Sequence, residues 1–353
     1  EYHCSMIKQT KIIDPLQELK LDGFKKLNEL LKINHHSPTS ANMPLGIYAF
    51  RYLFSTQEQR REFDGNANMA AGVAVNDAMQ YHYSDDIWSF NPNQRKLAPH
   101  KNKKLSKDEA IARAMEKFME YIPVNETDRL KKEHYQETIP QTCQQGFLAF
   151  DSIGINNSKK IVAEDSINYI DDRLSLPLVG RTDLHFTDFQ AAERSSAAVS
   201  PPGDSVLSVC ELKTSWQKIG REKKDGTRSF ASAKLVSSPN ILHLQQLSFY
   251  CFGLRKRFRT SPFLIYLTEG DFKIFTEKNC ADLEPKNLKN YYEQLVSNCI
   301  RKERLLSRYI DLEEPEMILA EIAKDVDPNF DHMFYWNIGV KHLSRAKKIW
   351  SNT

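Results

Sequence analysis

Two segments of this chain carry charged side chains whose types and spacing suit divalent-cation chemistry. The first ends at Asp183, and the second is an apolar stretch that ends with Glu211 and Lys213. Both segments are rich in strand formers, and because side chains alternate along a strand, Glu211 and Lys213 share one face. Carboxylates on neighbouring strands are the hard oxygen ligands that Mg²⁺ and Mn²⁺ prefer. A lysine two residues from the glutamate can reach the same centre.

Asp183 is expected to project away from the apolar face of a strand over 176–187. Its own face also carries Val179 and Arg181. The apolar face consists of Leu178, Gly180, Thr182, Leu184 and Phe186.

The Glu-x-Lys spacing alone has little specificity, because it recurs at Glu222 and Glu284 among other places. Glu222 lies in a charged loop, and the triplet at Glu284 contains a proline, which cannot donate to a central sheet. Only Glu211 follows an apolar strand with an aspartate-bearing strand upstream. The structural alternatives are a turn role for Asp183 and a surface ion pair between Glu211 and Lys213, which would contribute little stability.

A predicted helix downstream adds two polar residues. Gln246 and Tyr250 lie four residues apart, so they share one helix face. The order Asp183, then Glu211-x-Lys213, then Gln246-x-x-x-Tyr250 resembles the PD-(D/E)XK nuclease superfamily. The specific resemblance is to its RecB-like exonuclease branch, which includes mitochondrial and phage exonucleases.

The upstream part of the chain departs from this branch at one position. The segments 37–42 and 48–53 are similar to its serine-rich opening and its aromatic-basic helix. The next family element is a helix with Gly-x-x-x-His whose histidine helps to bind metal, and this chain has Asn76 at the histidine position. Asn76 could offer a carbonyl oxygen instead, or the neighbouring Asp77 or Glu164 could assist.

The resemblance implies an α/β fold with a restriction-endonuclease-like core, in which a mixed central sheet is flanked by helices. It also implies that Asp183, Glu211, the Leu212 carbonyl and Asn76 hold one or two Mg²⁺ or Mn²⁺ ions. Such cations would polarise a scissile phosphate and lower the pKa of the attacking water.

Three further matched residues receive catalytic roles from the same resemblance. Lys213 would orient the attacking water or stabilise the charge that grows on phosphate. Gln246 and Tyr250 would position the phosphate or support the metal-bound water. His243, one helical turn before Gln246, could join the same stripe.

Positive charge is clustered, although the net charge is only +3. One cluster follows the Glu211 strand and another follows the predicted Gln-Tyr helix, as a groove for a nucleic-acid backbone requires. Any single member could equally be a solvated surface residue, and Trp216 could stack on a base or belong to the core. The residues expected to contact DNA are Arg181, Thr214, Trp216, Lys218, Arg221, Lys223, Lys224, Arg255 and Arg257.

Composition bounds the class of protein. With 353 residues, 41% of them hydrophobic, the chain can bury a large core, and it has no uncharged apolar run long enough for a membrane span. Six scattered cysteines without a C-x-x-C pair indicate neither a disulfide framework nor a zinc finger. The late cysteine trio of some RecB-like nucleases is absent, so we expect no iron–sulfur cluster. The thiol pattern favours a reducing interior, either a bacterial or phage-infected cytoplasm or a mitochondrion.

Periodicity and turn residues predict the secondary structure. Helices are expected near 14–32, 40–54, 57–82, 106–121, 127–150, 240–256, 285–311, 315–325 and 329–350. Strands are expected near 161–171, 176–187, 205–214, 262–268 and 271–276, with a flexible loop over 190–204. The predicted regions are a helical N-terminal part (1–150), a nuclease core (151–280) and a helical C-terminal part (281–353).

The sequence and its resemblance together predict a metal-dependent exonuclease that hydrolyses phosphodiester bonds in single-stranded or end-bearing DNA. Its setting would be replication, repair or recombination, with a protein of those processes as a partner. The chain has no G-x-x-x-x-G-K-[ST] motif, so cleavage should not need ATP. The alternatives are a flap or junction endonuclease, and a non-catalytic DNA-binding scaffold, which the asparagine at position 76 motivates.

Overall fold

The computed structural model describes residues 35–55, 65–91, 96–123, 125–187, 206–222, 228–255, 259–307, 315–331 and 340–352. The helices in these ranges are α1 (Pro38–Asn42), α2 (Leu45–Ala49), α3 (Ala67–Tyr83), α4 (Lys107–Met119), α5 (Glu126–Ser152), α6 (Ile241–Leu254), α7 (Pro285–Ser307), α8 (Pro315–Asp325) and α9 (Val340–Ser351). A π-helical turn covers Phe50–Phe54, and 3-10 turns cover Ile155–Asn157 and Ala281–Leu283. The strands are β1 (Asp86–Asn91), β2 (Lys96–Lys101), β3 (Ile161–Ala163), β4 (Ser166–Tyr169), β5 (Leu178–Arg181), β6 (Leu184–Thr187), β7 (Val206–Thr214), β8 (Lys218–Glu222), β9 (Arg228–Ala231), β10 (Arg259–Leu267) and β11 (Phe272–Thr276).

The described strands form a seven-stranded sheet in the order β11-β10-β7-β6-β3-β1-β2. Because β7 runs parallel to β10 and antiparallel to β6, the sheet is mixed. Separate two-stranded sheets pair β4 with β5 and β8 with β9. The expected α/β architecture with a mixed central sheet is confirmed, whereas the restriction-endonuclease-like fold and the three regions stay predictions.

The strand that carries Asp183 is interrupted, which corrects the prediction of one strand over 176–187. Thr182 and Asp183 separate β5 from β6. The facing strand is interrupted at the same level by Glu164, whose backbone is left-handed with a φ of 55°, and by Asp165. The Thr182 N–H donates to the Asp165 carbonyl at 3.2 Å across the two gaps. The hairpin therefore bends as a unit, so that β3 and β6 join the main sheet while β4 and β5 leave it.

Helices cover both faces of the sheet. The helices α3, α4 and α5 pack over one face of the sheet, and their core cluster contains Leu212 of β7. The helices α6 and α7 pack over the other face, and their core cluster contains Val209 of β7. Leu184 belongs to the first layer and Leu178 to the second. The single apolar face expected for 176–187 is therefore wrong, because the bend carries β5 across to α6.

Local sequence explains where other predicted elements begin and end. Ser106 caps α4 as predicted, since its backbone N–H donates to the Glu109 carboxylate at 2.8 Å. The helix expected over 40–54 divides at Pro44, which is extended and lacks a backbone N–H. A helix was expected to begin at residue 329, but residues 329–331 are not helical, and Asn329 has a φ of 43°. The helix expected over 14–32 and the loop over 190–204 lie outside the described residues.

Two hairpins were absent from the sequence prediction. In the first, β2 contains a proline and two lysines, which are typical of an edge strand and conceal the strand pattern. This strand does lie at one edge of the sheet. In the second, β8 and β9 replace the charged loop expected after the Glu211 strand, although residues 223–227 are outside the described part.

No helix in the described ranges has both the length and the apolar composition needed to span a membrane.

Two glycines let the β4–β5 hairpin lie against α6. A Cβ on Gly253 of α6 would lie 2.3 Å from Ile167 Cγ2, and a Cβ on Gly180 would lie 2.8 Å from Tyr250 Cε1. Ile167 and Gly180 are register partners in the hairpin. This close approach holds the bent hairpin against the helix that carries Tyr250.

We expect Gly253→Ala to lower the free energy of unfolding by about 1–3 kcal/mol, because overpacking displaces neighbouring groups. Gly270→Ala is the matched control, since its added Cβ would have no atom within 4 Å. Urea denaturation measures both. The loss should be less than additive when Gly253→Ala is combined with Ile167→Ala, and equal effects at the two glycines would contradict this account.

Candidate active site

Asp183 closes a fork in the sheet. The pairing of β6 with β7 extends only as far as Leu184 opposite Cys210. Beyond this point the Leu212 N–H donates to Asp183 Oδ2 at 2.7 Å, in place of a ladder hydrogen bond. The carboxylate thus satisfies a backbone donor that the strand pairing leaves over. The sequence had predicted the Leu212 carbonyl as a metal ligand, and the contact found here is made by its amide.

Glu211 and Lys213 lie together on one face of β7, as predicted from the alternation of side chains. Lys213 Nζ donates to Glu211 Oε1 at 2.5 Å. Glu211 is only 1% exposed, so the alternative of a surface ion pair is wrong. Its second oxygen, Oε2, is buried and has no hydrogen-bond partner among the described residues.

Burial and mutual charge shift the pKa values of these three groups. Burial, followed by repulsion from Asp183, raises the pKa of Glu211 to about 8. Burial likewise raises the pKa of Asp183. Burial alone would lower the pKa of Lys213, but the two carboxylates together hold it above the usual value. The site therefore favours a charged lysine and retains a carboxyl proton that a bound cation would displace.

Side chains of α6 continue this polar chain. Gln246 Oε1 accepts a hydrogen bond from Lys213 Nζ at 3.2 Å, and Gln246 Nε2 donates to the Tyr250 hydroxyl at 2.9 Å. Because an ammonium only donates, it fixes which end of the amide faces Lys213. The structure thus brings both predicted α6 residues to the β7 site, and their catalytic roles stay predictions.

Asn76 of α3 reaches the same site. Its Nδ2 donates to Asp183 Oδ1 at 2.9 Å. Since an ionised carboxylate only accepts, the amide nitrogen must face Asp183 and the oxygen must point elsewhere. That oxygen, Oδ1, is buried and makes no hydrogen bond within the described ranges.

The two alternatives to Asn76 differ in position. Asp77 is bonded to Arg113 Nε and Lys117 Nζ, each at 2.6 Å, and these partners lie on α4. It therefore serves helix packing. Glu164 accepts from Gln80 Nε2 at 2.7 Å, and its charge contributes to the raised pKa of Glu211. Glu164 does not line the cavity of the site, and burial raises its own pKa.

The residues present fit a hard divalent cation, on the chemistry of their donors. In the described part of the chain, no three His, Cys, Asp or Glu side chains form a metal-binding cluster. The available donors are the carboxylates of Asp183 and Glu211 and the amide oxygen of Asn76. Two of these oxygen atoms are the buried ones without partners. Oxygen donors of this kind suit Mg²⁺ or Mn²⁺ better than softer metals.

The site forms the floor of a cavity of about 970 Å³. Lys218 of β8 and Lys234 after β9 supply exposed positive charge to its lining. Met69 and Val73 of α3 also line it, and they are 48% and 54% exposed. This apolar strip was not predicted from the sequence, because two apolar residues four apart on a helix are usually interpreted as core.

The predicted DNA contacts separate into distinct environments. Thr214, Trp216 and Lys218 line the cavity, but Trp216 is only 8% exposed and packs on Tyr135, which favours its core alternative. Arg221 is exposed on β8. Arg181 is exposed beside Glu164, and the Arg255 guanidinium lies 4.5 Å from the Phe252 ring centroid, at the far end of α6. Lys223, Lys224 and Arg257 lie outside the described residues.

No protein-family model matches the chain, and no curated protein is significantly similar to it.

Glu211→Gln should remove a pH dependence of stability in the metal-free protein. The pKa of Glu211 in the folded state, about 8, exceeds its ordinary value of 4.5, so folding favours the protonated form. The free energy of unfolding should therefore fall as pH rises through this window. In thermal melts from pH 5 to 9, we expect the melting temperature of the variant to rise relative to that of the wild type as pH rises. Glu321→Gln, at a half-exposed side chain of α8, is the control. Parallel curves for wild type and Glu211→Gln would contradict the assignment.

Proposed function

We propose that this chain is a metal-dependent deoxyribonuclease of the PD-(D/E)XK type that hydrolyses phosphodiester bonds at or near DNA ends. The observation that carries the proposal is the convergence of two carboxylates and a largely buried lysine, from β7 and from the bend between β5 and β6, on the lining of one open cavity. Perturbed acids grouped in this way in a cleft are typical of catalytic sites.

Each residue of the site has a distinct part in this reaction. Asp183, Glu211 and Asn76 would hold a divalent cation, which supplies Lewis acidity towards the scissile phosphate. Lys213 keeps its positive charge beside Glu211, and its ammonium can donate to a phosphate oxygen as negative charge develops there. Gln246 Oε1 accepts a second hydrogen bond from the same ammonium. The lysine is thus oriented before a substrate binds, which lowers the cost of reorganisation during the reaction.

The cavity lining supports nucleic acid as the substrate. Lys218 and Lys234 offer positive charge to phosphates, which provide most of the affinity in such complexes. Met69 and Val73 offer an exposed apolar surface to bases, and only unpaired bases can present their faces to it. This combination favours single-stranded DNA or a frayed end over an intact duplex.

Two other functions are compatible with the same site. A flap or junction endonuclease would use the same site on an internal bond. A non-catalytic scaffold would retain DNA binding alone, but the buried oxygen atoms of Glu211 and Asn76 that lack partners are then left without a purpose.

Lys213→Ala should abolish cleavage, with an expected loss of at least about 100-fold in rate. The measurement uses end-labelled linear and circular single-stranded DNA with Mg²⁺, Mn²⁺ or EDTA. Lys324→Ala on α8 is the matched control and should leave the rate unchanged, because this exposed lysine does not line the cavity. We expect metal-dependent loss of linear DNA only.

Other results of this assay would lead to different conclusions. Cutting of circles would identify an endonuclease. Binding of DNA without cleavage at any metal concentration would identify a non-catalytic scaffold. Cleavage that persists in Lys213→Ala would show that this site is not the catalytic one.

Lys218→Ala combined with Lys234→Ala should weaken the binding of single-stranded DNA and reduce its salt dependence. Removing two phosphate contacts should lower the slope of log Kobs against log salt by about 1.4, at about 0.7 per charge. The pair Lys347→Ala and Lys348→Ala on α9 is the control, because these exposed lysines do not line the cavity. Fluorescence anisotropy with Ca²⁺ or EDTA measures the slope, and equal slopes for both pairs would contradict a phosphate-binding role.

A further inference from the structure

His243 of α6 lines the cavity but has no part in the polar chain described above. Its Nδ1 lies 2.8 Å from the hydroxyl oxygen of Tyr266 on β10. That oxygen also accepts the backbone N–H of Asn240 at 3.0 Å. The Tyr266 hydroxyl has a single proton and no other hydrogen-bond acceptor among the described residues.

These contacts select one tautomer of the imidazole. If Nδ1 carried the proton, the Tyr266 hydroxyl would accept twice and its own proton would have no protein acceptor. If the hydroxyl donates to Nδ1, every group in the contact is satisfied, and the ring proton resides on Nε2. Nε2 makes no hydrogen bond to a described residue and is not one of the buried atoms that lack partners, so it is open to the cavity.

The surroundings of His243 keep it neutral. Burial, followed by the charge of Lys213, lowers the pKa of His243 to about 3. The ring therefore stays uncharged throughout the pH range in which the protein would act. Its Nε2–H is a donor that adds no positive charge beside Lys213.

We infer that His243 is a substrate-binding residue whose Nε2–H donates to a phosphate oxygen of the nucleic acid in the cavity, with Tyr266 as the positioning residue that fixes the ring. This inference rests on the proposed function. A neutral donor of fixed orientation stabilises growing charge on phosphate and does not repel a cation held by the nearby carboxylates.

The first test reads the tautomer directly and requires neither metal nor activity. Nitrogen-15 NMR of the histidine side chains, with the His243 signals assigned by their absence in His243→Gln, should show a protonated Nε2 and a bare Nδ1. No titration should occur between pH 5 and 8. A protonated Nδ1, or a titration near pH 6.5, would overturn the inference.

The second test compares two substitutions that differ in where they place a donor. The glutamine amide nitrogen in His243→Gln can occupy the position of Nε2, whereas the shorter side chain in His243→Asn reaches only the position of Nδ1. We expect His243→Asn and His243→Ala to lower kcat by about 10- to 100-fold, and His243→Gln to restore a large part of this loss. Equal activity of all three variants and the wild type would overturn the inference.

A double-variant cycle tests the dependence on Tyr266. Tyr266→Phe should lower kcat in the wild-type background and have little further effect in the His243→Ala background. Additive losses would show that Tyr266 acts independently of His243 and would overturn its positioning role. If the wild type itself fails to cleave DNA while the NMR result holds, the proposed function fails. If the wild type cleaves and Lys213→Ala does not, failure of the His243 variants to respond refutes this inference alone.

Discussion

The hydrogen bond from the Leu212 N–H to the Asp183 carboxylate, 2.7 Å long, ties the candidate site to the sheet. It exists because the hairpin strands bend away from β7 at Thr182 and Asp183 and leave one backbone donor without a strand partner. The bend in turn requires the β4–β5 hairpin to lie against α6, where glycines permit the close approach. Since α6 also carries Gln246 and Tyr250, one set of packing contacts positions the aspartate and the helix relative to β7.

The pKa of a structural carboxylate, Asp171, and the pKa of the site carboxylate Glu211 are shifted in opposite directions. Asp171 is 8% exposed, yet hydrogen bonds from Arg173 and from the Tyr292 hydroxyl satisfy it, and Arg173 chiefly lowers the pKa of Asp171 to about 2. Glu211 is more deeply buried, its pKa is raised, and one of its oxygen atoms lacks a partner. A buried polar atom without a partner costs about 1–3 kcal/mol. The arrangement at Glu211 therefore costs stability, and the cation of the proposed function would offset that cost.

Alternation along a strand was enough to predict that Glu211 and Lys213 share a face, because the period of two is a property of the backbone. Helical spacing was enough to place Gln246 and Tyr250 together. The bend at Asp183 could not be predicted in this way, because it depends on a left-handed Glu164 and on contacts with α6 that are distant in sequence. The edge hairpin of β1 and β2 was missed because its proline and charges obscure the strand pattern. The contact between His243 and Tyr266 joins a helix to a strand, and no local pattern reports such a pair.

The asparagine at position 76 is compatible with an intact site. A neutral imidazole offers one N–H donor and one lone pair, and a side-chain amide can supply the same two functions from a single carbon. Asn76 uses its donor on Asp183 and keeps its oxygen for another group. Under the proposed function, an oxygen ligand stands where the family that the chain resembles has a nitrogen ligand, so the proposed donor set consists entirely of oxygen. Such a set retains affinity for Mg²⁺ and loses part of the preference for transition metals that imidazole provides. Under the proposed function, Asn76 would change which cation the cleft prefers and leave the geometry in place, because the same hydrogen bond that orients Asn76 also helps to hold Asp183.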